Sequence, residues 1–179
     1  MQAALLLWFM KISRLRLSVA LLIACVFSFT AYQSCIKDGC SKILCHAGVC
    51  VSGRCACPTG YEGDNCELLW SDKFSGLWHN TEQVQDSSGI HTTTYDLTVR
   101  GNGTPGTLLI DHLEGAYDSI VCRVTNHYAF QLQAQASPDS TFRISSGTGT
   151  MDSLTGKVSV TYSFTQNGVG KSAAMSWSR

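Results

Sequence analysis

The chain has 179 residues, thirteen basic and thirteen acidic side chains, and only 15% charged residues overall. That length accommodates one ordinary domain or two small ones, and the balanced charge, with no basic run beyond the N-terminus, gives no footing for a nucleic-acid partner. Eight of the nine cysteines fall within the first 66 residues, which points to an oxidising compartment and a region too small to be held by an apolar core.

At the N-terminus, Lys11, Arg14 and Arg16 precede the apolar run LSVALLIACVFSFTAY at 17–32. Positive residues followed by an apolar stretch have the order of a secretory signal, so a signal peptide is expected over 1–34. Residues 1–9 precede the charges and have no place in that order, which makes Met10 the expected start. The apolar run, interrupted by Ser, Thr and Cys, falls short of the roughly 20 residues that span a bilayer.

Two cysteines then compete for a lipid. LIAC, ending at Cys25, resembles the bacterial lipobox, but lipidation there would leave the apolar VFSFTAY exposed on the mature tail. Cys35 follows Ser34 at the polar end of the run and opens CIKDG, a polar tether at 35–39 that resembles the charged start of Bacteroidetes surface lipoproteins. Lipidation is therefore expected at Cys35, with Cys25 the alternative. The expected location is the outer membrane or cell surface, lipid-anchored, with a secreted form as the alternative. From Cys35 onward ten basic residues face thirteen acidic ones, a net charge of −3.

Cysteines 40, 45, 50, 55, 57 and 66 are separated by 4, 4, 4, 1 and 8 residues. Six cysteines allow 15 connectivities, and spacing alone does not choose among them. A zinc site would need two close C-x₂-C-type pairs, which His46 beside Cys45 does not supply. The stretch CACPTGYEGDNC at 55–66 matches C-x-C-P-x-G-Y-x-G-x-x-C at every fixed position, so residues 40–66 resemble an EGF-like module. The resemblance implies the pairs Cys40–Cys50, Cys45–Cys55 and Cys57–Cys66, with Gly60 and Gly63 at turns that need free φ. Some such modules bind calcium, yet here only Asp38 is acidic before Cys40 and Val51 follows Cys50. One carboxylate is a poor beginning for an ion that takes six or more oxygens. No cofactor is expected.

Residues 68–179 hold one cysteine, many Ser and Thr, and frequent alternation of period two. TYDLTVRG sets Tyr95, Leu97 and Val99 on one face. FQLQAQA sets Phe130, Leu132 and Ala134 opposite three glutamines, and KVSVTYSF aligns Val158, Val160, Tyr162 and Phe164. Turn signals such as GNGTPG, SPDS and QNGVG separate these runs. The reading is an all-β meander of about eight strands: near Trp78, 92–100, 107–113, 119–125, 128–136, 141–151, 157–165 and 171–178. Eight strands suit a small closed antiparallel barrel, with a two-sheet sandwich as the alternative. Gly76-x-Trp78 resembles the G-x-W of the first lipocalin strand, where the Trp closes the barrel base beneath a late Arg; Arg179 is the candidate for that part. The EGF-like module followed by a Ser/Thr-rich β domain also resembles small Bacteroidetes surface lipoproteins.

No catalytic or metal set emerges. His79, His91 and His127 fall at strand ends or turns, and His112 has Asp111 and Glu114 near it in sequence only, since adjacent strand residues face opposite ways. Cys122 alternates with Ile120 and Val124 and is expected inward, as a buried free thiol. The functional expectation is a membrane-anchored, non-enzymatic surface lipoprotein. Its EGF-like module acts as spacer, and its β domain contacts a protein, a glycan or another ligand. The alternative is a lipocalin-like carrier of a small apolar ligand.

Overall fold

The computed structural model describes residues 39–179. The expected signal segment, the start at Met10, and both lipidation candidates, Cys25 and Cys35, lie outside the described residues. The turn at 39–42 belongs to an N-terminal unit, and 43–179 form a second compact unit.

The second unit begins with two small hairpins. β1 (Val49–Val51) pairs with β2 (Arg54–Ala56), and Cys50 lies directly opposite Cys55. Ser52 and Gly53 between them both adopt positive φ, the tight turn that matches strand twist. β3 (Tyr61–Glu62) pairs with β4 (Leu68–Leu69). Cys45 is bonded to Cys55 and Cys57 to Cys66, and Cys40 and Cys50 are also disulfide-bonded. Cross-links of this density replace the core that so few residues cannot build.

A 3₁₀ turn, Trp70–Lys73, leads into the larger sheet. Its strands are β5 (Gly76–Asp86), β6 (Gly89–Gly101), β7 (Thr107–Asp111), β8 (Ile120–Asn126), β9 (Ala129–Leu132), β10 (Gln135–Ala136), β11 (Phe142–Met151), β12 (Val158–Gln166) and β13 (Val169–Ser178). Neighbours around the ring pair antiparallel, β9 and β10 lie one after the other along β11, and β13 returns to β5, closing an eight-stranded up-and-down barrel. Closure gives each of the eight strands two neighbours, and the part of β6 before Thr98 extends beyond its pairing with β7. The open sandwich is thereby excluded.

The stretch expected as one strand at 128–136 is interrupted at Gln133 and Ala134. The register against β11 is nevertheless continuous, with Leu132 opposite Gly147 and Gln135 opposite Ile144. At the gap the Gln135 amide takes the place of a neighbouring backbone, accepting from Val121 N–H (2.9 Å) and donating to Val121 C=O (2.9 Å). β7 also stops at Asp111, short of the expected 113, because the chain there turns over the barrel mouth.

Alternation fills the interior. Trp78, Leu97, Val99, Phe130, Val160 and Trp177 are each at most 1% exposed. A cavity able to take a ligand would admit a water-sized sphere to these residues, so the barrel is packed with its own side chains. A bulge between Ile144 and Ser146 shifts the phase of β11 and turns Gly147 and Gly149 inward. A methyl at Gly149 would overlap the Phe130 ring, and one at Gly147 would sit 2.6 Å from Tyr162 Cβ. Glycine is required there by space.

The disulfide-rich segment meets the barrel more closely than the short linker after Cys66 leads one to expect. The Gly60 carbonyl accepts from Trp70 N–H at 3.0 Å, and Gly60 lies against Pro105. Glu62 accepts from Lys73 Nζ (2.8 Å) and lies 2.7 Å from His127 Nδ1, while the Trp70 ring packs 4.6 Å from that imidazole. Burial works to raise the Glu62 pKa, but the bonds and charges of Lys73 and His127 outweigh it and hold the carboxyl below its ordinary range.

Candidate functional site

The two ends of the barrel are built differently. At the base, next to the disulfide-rich segment, Trp78 donates from Nε1 to Phe74 C=O at 2.7 Å. The Arg179 guanidinium lies over the Trp78 ring, 4.2 Å from its centroid, and donates to Lys73 C=O (3.2 Å) and Ser75 C=O (2.8 Å). Gly76 lies under this guanidinium, with Arg179 Nη2 3.6 Å from where a Cβ would stand. Sequence places Trp78 and Arg179 about a hundred residues apart, and the β13–β5 pairing brings them together.

The opposite end is covered by the β7–β8 loop. Leu113 and Tyr117 form a tight antiparallel bridge, Leu113 is fully buried, and Tyr117 stacks on Phe142 at 4.0 Å. His112, Glu114 and Ser119 all adopt positive φ, at 65°, 53° and 59°. Non-glycine residues in this region each carry about 1 kcal/mol of strain, so the loop persists only because its contacts hold it. Asp118 Oδ1 accepts from His112 N–H and Asp111 Oδ1 from Ser119 N–H, bracing both ends.

Beneath this loop is a buried polar cluster. Glu82 is 1% exposed and faces inward from β5. It accepts from Tyr95 Oη at 2.7 Å and contacts Tyr162 Oη at 2.6 Å, and Tyr162 Oη also lies 3.0 Å from Glu114 Oε1. Tyr95 Oη in turn accepts from Glu114 N–H at 2.9 Å. Burial raises the Glu82 pKa against the pull of both tyrosine hydroxyls. Burial, then the nearby Glu82 charge, raises that of Glu114. Nearer the base, both amide atoms of Asn80 and the Nε1 of Trp177 are buried without a partner among the described residues.

A third feature lies outside the barrel. Across β5, β13, β12, β11 and β9 the outward residues align in register, with Gln83, Ala174, Thr161, Thr148 and Gln131 forming one row. Gln85, Ser172, Ser163 and Ser146 form a second row. These rows line a hollow of about 630 Å³ without one charged side chain.

The other residues considered from sequence remain scattered. His79 pairs with Asp96, His91 with Asp86 and Ser88, His112 with Asp118, and His127 with Glu62. Among the described residues no three His, Cys, Asp or Glu side chains gather in a way that could hold a metal ion. Cys122 is a buried free thiol whose pKa is pushed up by burial. The Glu82 cluster was not anticipated, although its signal is present: Trp78, Asn80, Glu82 and Val84 share one strand phase, which places an acid in the core.

No protein-family model matches the chain, and no curated protein matches it. Among solved structures it is similar to a "putative outer membrane protein" from Bacteroides fragilis, at 11% identity and a TM-score of 0.41. That match covers 62% of this chain and 52% of the other, about half of that protein's length.

Proposed function

We propose that this chain is an exported, lipid-anchored surface protein that binds a neutral, hydroxyl-rich ligand of the saccharide type on the outside of its barrel. The observation that carries this reading is the charge-free hollow across β5, β13, β12, β11 and β9, set against an interior already filled. Its amides and hydroxyls offer donors and acceptors to a neutral polyol, without an aromatic platform for stacking. The role is binding rather than catalysis. The disulfides fit an oxidising, extracytoplasmic setting. The EGF-like region braces the base of the barrel, leaving the covered mouth and the hollow for contact. The filled interior gives the alternative, a carrier of an apolar ligand, no support.

Calorimetric titration of the disulfide-bonded protein with neutral polysaccharides tests the ligand class. Binding that Thr161→Arg abolishes, by placing a charge in the middle of the hollow, is the expected result. Binding unaffected by Thr161→Arg, or binding of fatty acids alone, would overturn it. Palmitate labelling in a bacterial host tests the anchor: label is expected to vanish in Cys35→Ala, and loss only in Cys25→Ala would move the lipid upstream.

A further inference from the structure

We propose that the β7–β8 loop is a lid, locked over the barrel mouth by one proton shared between Glu82 and Glu114, and that loss of this proton releases it. The cluster has too few hydrogen-bond donors for its contacts. Tyr162 Oη has one hydrogen, yet it lies within bonding distance of a carboxyl oxygen of both acids. It donates to one, so the other carboxyl must carry a proton and donate to Tyr162. Tyr95 gives no relief, because its hydroxyl hydrogen is committed to Glu82 Oε2 while its oxygen accepts from Glu114 N–H. The shorter contact, Tyr162 to Glu82 at 2.6 Å, marks Glu82 as the charged partner and places the proton on Glu114.

Every group facing the pair is accounted for. Tyr95 faces it from β6 and Tyr162 from β12. Lys171, from β13, acts on Glu114 through its charge while its Nζ is held by Gln166 Oε1 at 3.0 Å and lies 3.7 Å from Asp86 Oδ2. His91 is turned to Asp86 and Ser88. The lysine charge is thus shared with Asp86 and does not replace the missing proton.

When the proton leaves to solvent, the Glu114–Tyr162 bond is lost and two carboxylates face each other across one hydroxyl. Glu114 belongs to the lid, and three of the lid's residues already sit in the strained left-handed region. Repulsion therefore acts on a loop whose backbone is already strained. The sign follows: a carboxyl whose pKa is raised in the folded state favours that state at low pH, and this contribution is lost as pH rises through the raised value. The lid is closed in acid and opens toward alkaline pH, uncovering Glu82, Tyr95 and Tyr162.

The test uses the full disulfide-bonded chain with ¹³C-labelled glutamate carboxyls, followed by NMR across pH, alongside hydrogen exchange of the amides in 112–119 corrected for their intrinsic rates. One of the two carboxyls is expected to titrate above the ordinary range. Lid protection should fall by up to tenfold per pH unit from the ordinary carboxyl range up to the raised pKa and level off once that carboxyl has titrated, as release of one proton demands. In Glu114→Gln, whose amide donates to Tyr162 without titrating, protection should stay flat. The proposal is overturned if both carboxyls titrate in the ordinary range, if lid protection does not follow the titration, or if Glu114→Gln retains the wild-type pH dependence. Should that variant fail to fold, the coincidence of the two wild-type curves decides alone.

Discussion

Gly149→Ala probes the seam where the barrel closes. Gly149 faces inward opposite Phe130 in the β9–β11 pairing, and an added methyl falls within the volume of the Phe130 ring. That ring has no room to retreat: it is 1% exposed, lies edge-on to Phe74 at 5.2 Å and stacks on Trp177 at 5.7 Å. Overpacking of this kind costs about 1–3 kcal/mol, and a domain of this size loses roughly 4 °C of Tm per kcal/mol, so a fall of about 4–12 °C is expected. Gly170→Ala is the control, since nothing lies within 4 Å of its Cβ position. Removing a strand glycine in open space should leave Tm unchanged or raise it slightly. Phe130→Leu should partly rescue Gly149→Ala, giving a double variant more stable than the sum of the single losses requires. Thermal unfolding followed by far-UV circular dichroism measures all four. If Gly149→Ala and Gly170→Ala melt within a degree of each other, the packing of Phe130 against the seam is wrong.

Further outcomes follow from other contacts. Asn80→Leu should raise Tm, because a buried amide without partners costs about 1–3 kcal/mol that an apolar side chain does not; a drop of several degrees would mean that the amide has a partner. The Glu62 carboxyl has a lowered pKa, so its contribution is full above the unfolded value of about 4.5 and is lost as pH falls through the folded one. Chemical shifts of Trp70 and His127 in wild type should therefore move below about pH 4.5, over and above any change in Glu62→Gln. Reduction should melt the disulfide-bonded hairpins and lower the barrel's Tm by a few degrees without unfolding it, because Cys122 is unbridged yet Gly60 and Glu62 brace the base. Cys122 should resist thiol reagents in the native state and react on denaturation; rapid native labelling would contradict its burial.

Much of the barrel was legible because period-two alternation is a local signal: TYDLTVRG and KVSVTYSF alone fix which side chains point inward. The tight turn at Asn167 and Gly168 was legible too, although β12 and β13 run closer to it than propensity at their ends implied. The break at Gln133 and the bulge near Ser146 were not, since both arise from how non-adjacent strands meet at closure. The closeness of the disulfide-rich segment to the barrel depends on His127 and Pro105, which sequence places some 40 to 65 residues from their partners. The acidic cluster escaped for another reason. Glu82 lies in the inward phase of its strand, but its meaning depends on Tyr95, Tyr162 and Glu114 arriving from three other segments. The charge-free hollow likewise exists only once five strands are set in register.

The central claim, contact on the outer face of a filled barrel, is tested most directly by mapping amide shifts in ¹H–¹⁵N spectra as a neutral oligosaccharide is added. Shifts are predicted to concentrate at Gln83, Gln131, Thr148, Thr161 and Ser172, with the indole signals of Trp78 and Trp177 unmoved. Shifts centred on Phe130, Trp177 and Val160 instead would place the ligand inside the barrel and contradict the account.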